Sequence, residues 1–182
     1  MAANASLNHS YQHLSAVGPR QGLMLAVAMG LPPGLFGLLN LGAESLGILP
    51  LFFAPFDLPG WIGAIAHLAQ LALLGAAYWV LSHNHANRGA RFWLLAFIAA
   101  YILLPFVTPP LDSLQLSLAC TALFLVGLAS LRRAAAAAPL AGWFMAPALL
   151  VLGFSATMGL AIAASYSPPF ALVQGQQPAL AT

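Results

Sequence analysis

Long apolar runs alternate along the chain with short polar or proline-rich segments. Because a helix rises 1.5 Å per residue, about 20 apolar residues cross the hydrocarbon core of a bilayer. The pattern predicts an all-α integral membrane protein, a five-transmembrane-helix bundle at 20–166 between a polar arm at 1–19 and a polar tail at 167–182. The spans are placed at about 21–41, 61–81, 91–107, 111–131 and 140–164.

Two connecting segments and one span have unusual composition. The first span contains Pro32 and Pro33, which are expected to kink it, and glycines that are expected to pack against a partner helix. The segment 44–60 is too rich in proline for a strand and too apolar for a free linker, so we expect a folded lid over the end of the bundle. The alanine-rich segment 134–139 is interpreted as a connection. The glycines of the first span are Gly30, Gly34 and Gly37.

Composition excludes a soluble domain. The chain has 182 residues, of which 62% are hydrophobic and only 4% charged, whereas about a quarter of the residues of a soluble domain are charged. The net charge of +2 is small and the arginines are scattered, so a nucleic-acid partner is not expected. The bilayer is therefore the solvent for most of the chain, and membrane lipids are its first partners.

The charged residues give the predicted orientation. Five crossings place every arginine on one side of the membrane and every acidic residue on the other. Arginine near span ends marks the cytoplasmic face, so the N-terminus is predicted to be cytoplasmic and the C-terminus outside, in a bacterial inner membrane. The arginines are Arg20, Arg88, Arg91, Arg132 and Arg133, and the acidic residues are Glu44, Asp57 and Asp112.

His67 and Gln70 are the candidate site residues within the second span. They are three residues apart, so they project from one side of the helix, and an ionisable residue at this depth faces protein, a cavity or a ligand. One interpretation is that His67 Nε2 binds a ligand or the metal of a tetrapyrrole. The other is an interhelical hydrogen bond to Tyr101, Gln115 or Ser155.

The candidate ligand-binding set extends beyond this pair. Trp61 begins the second span, Tyr101 lies in the third, and Gln115 in the fourth either completes a polar pocket or forms another interhelical hydrogen bond. Asp112 is predicted to cap the fourth helix, because a carboxylate accepts backbone N–H bonds there. Arg132 and Arg133 end that span and are expected to anchor it at the membrane surface, with anionic lipid as a further partner. We find no catalytic motif, so enzymatic activity is not expected.

The second span resembles that of the TspO/MBR family, the tryptophan-rich sensory or peripheral-type benzodiazepine receptor proteins. Members have five transmembrane helices and about this length, and the resemblance covers roughly residues 21–166. It implies a ligand pocket below the loop that joins the first two helices, for tetrapyrroles, sterols or synthetic ligands. The matching residues are Pro59, Gly60, Trp61, Gly75, Trp79, Pro105, Leu140 to Trp143, Pro147 and Phe154, with Gly34 and Gly37 in the first helix.

Several positions depart from the family pattern. The tryptophan that the second helix contributes to the pocket corresponds to His67, and other tryptophans and asparagines of the pocket are also replaced. Because those residues would support porphyrin breakdown, the resemblance implies the fold and a binding pocket but not that activity. The other replacements are Ala100, Leu103, Val151 and Gly159.

Two functions are compatible with the sequence. The first is a TspO-like protein that binds a hydrophobic small molecule under the lid, with heme, another porphyrin or (bacterio)chlorophyll as conceivable cofactors and His67 as axial ligand. The second is a structural accessory subunit of a photosynthetic or respiratory membrane complex that keeps the fold without the pocket chemistry. The protein partner is expected to be a second copy of this chain, in a homodimer, or the subunits of a larger membrane complex, and an empty homodimer would count against the second function.

Overall fold

The computed structural model describes residues 18–53, 58–84 and 88–165, and these form five α-helices without any strand. Each helix is long and apolar enough to cross a membrane, which supports an integral membrane protein. Most of the predicted arm, the whole tail and Asp57 lie outside the described residues. The helices are α1 (Pro19–Ser45), α2 (Gly60–His83), α3 (Arg88–Val107), α4 (Ser113–Ala137) and α5 (Pro139–Ser165).

Consecutive helices run antiparallel and their contacts form a ring in the order α1, α2, α5, α4, α3, with α3 closing against α1. All five arginines lie at one end of this bundle, at the start of α1 and α3 and the end of α4. We name it the arginine end. Glu44 and Asp112, the described acidic residues, lie at the opposite end, named the lid end. Among the described residues, the sorting of charge predicted from the sequence is therefore present in the fold.

α1 continues without a break through Pro32 and Pro33. Its buried residues are Pro32 and Phe36, four residues apart and so on one face. The expectation that its glycines pack against a partner helix is not met within the described bundle, because a Cβ built on any of the three meets no atom within 4 Å. Gly30 and Gly34 are each two residues from Pro32, which places them about half a turn away from the packed face.

The close approach of α1 to α2 occurs instead at Gly75. A Cβ there would collide with the backbone carbonyl of Ala28. A second close approach joins α4 to α5 at Gly159, where a Cβ would lie 2.8 Å from the Cβ of Ser117. Glycines of α2 and α5 therefore allow the helices to meet at these two positions.

α4 is longer than its predicted span and includes most of the predicted connection, up to Ala137. Alanine has the highest helix propensity, so the alanine run extends the helix. Ala138 then adopts an extended conformation with φ −154°, as expected of a residue that precedes a proline. At its other end, Asp112 accepts a hydrogen bond from the backbone N–H of Gln115 at 2.7 Å, which confirms the predicted N-cap.

The lid is present in the described part of the segment that joins α1 to α2. Gly47, with φ 73°, ends α1 in a Schellman motif, in which Ile48 N–H donates to the Ala43 carbonyl. Leu51 N–H then donates to the carbonyl oxygen of Pro105 at 2.8 Å. In a continuing helix, the Pro105 carbonyl oxygen would accept a hydrogen bond from the backbone N–H of residue 109. Residue 109 is a proline and has no N–H, so the oxygen is available to Leu51. We use the term lid for residues 46–53.

Candidate functional site

His67 lies in the second turn of α2, close under the lid. Its side chain is 8% exposed, and its Nε2 atom is buried and makes no hydrogen bond with the described protein. A buried polar atom without a partner costs about 1–3 kcal/mol, and such an atom in a folded protein calls for an explanation. His67 is thus buried within the second span, as the sequence predicted. Its Nε2 atom does not form the interhelical hydrogen bond that was the alternative to a ligand.

Aromatic rings from three other elements surround His67. Tyr101 of α3 stacks on the imidazole, with ring centroids 4.7 Å apart and planes inclined by 28°. Phe36 of α1 meets it edge-on at 5.4 Å, and Phe52 of the lid lies at 5.8 Å. Phe106 of α3 extends the layer, at 5.2 Å from Phe36. We name these residues, with His67, the aromatic layer.

Gln70 and Tyr101 connect α2 and α3 through a buried hydrogen bond, in which the phenol hydroxyl donates to the Gln70 side-chain oxygen. Both side chains are buried. The bond holds Tyr101 at a position from which its ring stacks on His67. Of the predicted ligand-binding residues, His67, Gln70 and Tyr101 are therefore brought together.

Three other residues named from the sequence lie elsewhere. Trp61 is 63% exposed in the first turn of α2 and is not part of the aromatic layer. Gln115 is exposed and completes a capping box, in which its side-chain oxygen accepts from the Asp112 N–H at 3.3 Å. Ser155 donates to the Val151 carbonyl of its own helix. Gln115 and Ser155 therefore have local partners that explain them without a ligand.

The lid positions two phenylalanines on different parts of the bundle. Phe52 packs on Phe36 as well as on His67, and Phe53 contacts Phe154 of α5 at 5.9 Å. The backbone of Phe53 lies so close to Gly63 that a Cβ there would be 2.6 Å from its carbonyl oxygen. Gly63, one turn before His67, therefore lets the lid lie directly on α2.

Sequence reasoning missed the three phenylalanines of the aromatic layer. Phe36, Phe52 and Phe106 lie in apolar stretches with many similar residues, and nothing in their spacing sets them apart. One signal was available, because Phe36 is four residues from Pro32 and a packed face of α1 would contain both. Which helix this face meets depends on the order of helices in the bundle.

We tested the tetrapyrrole implied by the family resemblance against this packing. An imidazole Nε2 is a suitable axial ligand for a metal. However, that atom has no accessible surface, and Phe36, Phe52 and Tyr101 occupy the space around the ring. A macrocycle does not fit the site as it is packed. The described residues also contain no cluster of three or more His, Cys, Asp or Glu side chains suited to a metal ion.

Comparison of this chain with protein-family models, with curated proteins and with solved structures gave no match.

Proposed function

We propose that this protein is a TspO-like integral membrane protein that binds a neutral hydrophobic molecule at the aromatic layer. The unpartnered, buried Nε2 of His67 is the observation that supports it most directly. A molecule with one hydroxyl or carbonyl group would satisfy this atom, and the surrounding rings would contact its apolar part. Catalysis is not part of the proposal.

The ligand enters by displacing Phe52. Phe52 is partly buried and belongs to the lid, which is joined to α3 by a backbone hydrogen bond from Leu51. Its ring occupies one side of His67, so its movement opens space there without any change in the helices. The lid therefore acts as the cover of the site, and the neutral surroundings of His67 favour an uncharged ligand.

The proposed orientation places the arginine end at the cytoplasmic face, because arginines near the ends of membrane spans are retained in the cytoplasm. The lid then faces outward, in keeping with a bacterial inner membrane. A ligand would reach the site from the outer leaflet or from the outer surface. The N-terminus is cytoplasmic and the C-terminus outside in this arrangement.

The experiment is purification in a mild detergent, followed by an absorption spectrum and native mass spectrometry. We expect a small-molecule mass on the wild-type protein that is lost in His67→Ala. His83→Ala is the matched control, because His83 is exposed at the other end of α2 and its Nδ1 lies 3.1 Å from the Trp79 carbonyl. A visible absorption band would identify a tetrapyrrole that binds by a larger opening of the lid. If His67→Ala retains the ligand, the proposed site is wrong.

An accessory subunit of a larger membrane complex is the second candidate function. One observation on α1 favours this function: Gly30, Gly34 and Gly37 face away from the bundle, with open space beside them. Small residues let another helix approach closely within a bilayer. Native mass separates the two functions: co-migration with a large complex and no small molecule supports the subunit, whereas a lone protein with bound ligand contradicts it.

A further inference from the structure

A groove at the arginine end has no part in the proposed function. It lies between the last turns of α4 and the first turns of α5 and has a volume of about 270 Å³. Trp143 is 75% exposed at its edge, so the groove opens on the outside of the bundle. Its lining is apolar except for the indole N–H, and consists of Leu131, Ala135, Pro139, Gly142 and Trp143.

An arginine adjoins this groove. Arg132 lies three residues before the lining residue Ala135, so the two are neighbours on the surface of α4. It is exposed and forms no ion pair or hydrogen bond with any described residue. Arg133 is different: its guanidinium lies 4.6 Å from the Trp93 ring centre and donates to the Ala129 carbonyl at 3.0 Å. Arg132 is thus the cation available beside the groove.

The charge around the groove has one sign. All five arginines belong to the arginine end, and both described acidic residues lie at the lid end. An open apolar groove with a cation beside it complements a molecule that has an apolar chain and an anionic head. Arginine binds phosphate with several N–H donors in a plane, and exposed tryptophan is typical of the level of lipid headgroups.

We propose that this groove binds an anionic phospholipid of the leaflet at the arginine end. One acyl chain lies along Leu131 and Ala135, against Trp143, and the phosphate contacts the Arg132 guanidinium. A zwitterionic lipid has the same chains but a compensating positive group in its head. The charge at Arg132 therefore selects the anionic head, while the groove selects a chain.

The test uses quenching of Trp143 fluorescence by brominated lipid. The protein is reconstituted with brominated phosphatidylglycerol or brominated phosphatidylcholine, and the signal of Trp143→Phe is subtracted to isolate Trp143. We expect half-maximal quenching by phosphatidylglycerol at a mole fraction about fivefold lower than that needed with phosphatidylcholine. This factor corresponds to the contact of one arginine with an anionic lipid. Equal quenching by the two lipids overturns the proposal.

Two variants and a control locate the contact. Arg132→Gln removes the cation from an exposed position and is expected to abolish the preference. Ala135→Phe fills the groove and is expected to abolish it too. Arg20→Gln is the matched control, since Arg20 is exposed at the same end but on α1, which packs on α2 and α3. Persistence of the preference in Arg132→Gln or Ala135→Phe, or its loss in Arg20→Gln, overturns the proposal.

Discussion

Identical residues have opposite roles in neighbouring helices of this bundle. Gly75 of α2 is covered by the backbone of α1, whereas Gly34 of α1 has open space beside it. Both were interpreted from the sequence as part of a family pattern, and spacing alone does not separate them. The difference is the direction in which each residue points, which depends on the packed face of its helix.

The first prediction compares these glycines. Gly75→Ala places a methyl group on the carbonyl of Ala28 and forces α1 away, so we expect a loss of about 1–3 kcal/mol, the usual cost of overpacking. Gly34→Ala meets nothing and gains helix propensity of up to about 1 kcal/mol, so its stability should be unchanged or higher. Thermal unfolding in detergent measures both. A lower melting temperature for Gly34→Ala than for Gly75→Ala would contradict the packing described.

The second prediction concerns the hydrogen bond between Tyr101 and Gln70. Tyr101→Phe and Gln70→Leu each remove one partner, and the double variant removes both. Interhelical hydrogen bonds within membranes contribute about 0.6 kcal/mol on average, and at most about 1.7, so the coupling energy should lie in this range. A double-mutant cycle of unfolding free energies measures it. Strictly additive single effects would show that the two side chains do not interact.

At the scale of elements, the lid depends on contacts with several helices. Leu51 is joined to α3, Phe52 to α1 and α2, and Phe53 to α5. The carbonyl of Pro105 is available to Leu51 because the chain places Pro109 four residues later. A proline-rich turn at the end of α3 therefore provides the acceptor that holds the cover of the proposed site.

The third prediction tests this element through Gly63. Gly63→Val places its Cβ 2.6 Å from the Phe53 carbonyl oxygen, so the lid should separate from α2. We expect the Leu51 amide to exchange hydrogen at least about tenfold faster, since loss of about 1.4 kcal/mol of local stability changes exchange by that factor. Gly60→Ala is the control, because a Cβ there meets no atom within 4 Å. Unchanged exchange at Leu51 in Gly63→Val would mean that the lid does not rest on α2.

At the scale of the whole molecule, the ring of helices separates two chemical ends. One has the lid, the capping box of α4 and the described carboxylates; the other has the arginines and the groove beside Arg132. The proposed ligand site and the proposed lipid site are thus at opposite ends of the bundle. The variants that test one site therefore lie at the opposite end of the bundle from the other site.

The fourth prediction concerns orientation in the membrane. In a Cys120→Ala background, Leu49→Cys in the lid should react with an impermeant maleimide added to intact cells. Asn84→Cys, at the end of α2, should react only after the cells are lysed. Both positions are exposed in the fold, so access depends on the side of the membrane rather than on burial. The reverse labelling pattern would place the arginine end outside.

The sequence was a good guide to elements whose cause is local. Five apolar runs predicted the helices, since a backbone in lipid must form its hydrogen bonds within each span. Asp112 was predicted as a cap because capping depends on residues three apart. The end of α4 was placed too early, since its alanine run was interpreted as a connection and not as a helix former. Gln115 was predicted to complete a pocket or to bond another helix, although its partner is in the same turn.

What the sequence by itself determined is an apolar length suited to a membrane, the number of helices, the sorting of arginines from the described acidic residues and the presence of a buried histidine. These follow from apolar length and from the cost of charge in lipid, which act within each span. Only the tertiary structure decided what surrounds His67, because Phe36, Phe52 and Tyr101 come from three distant parts of the chain. In an almost uniformly apolar chain, many faces are equally suited to packing, so the ring order of the helices selects which side chains meet.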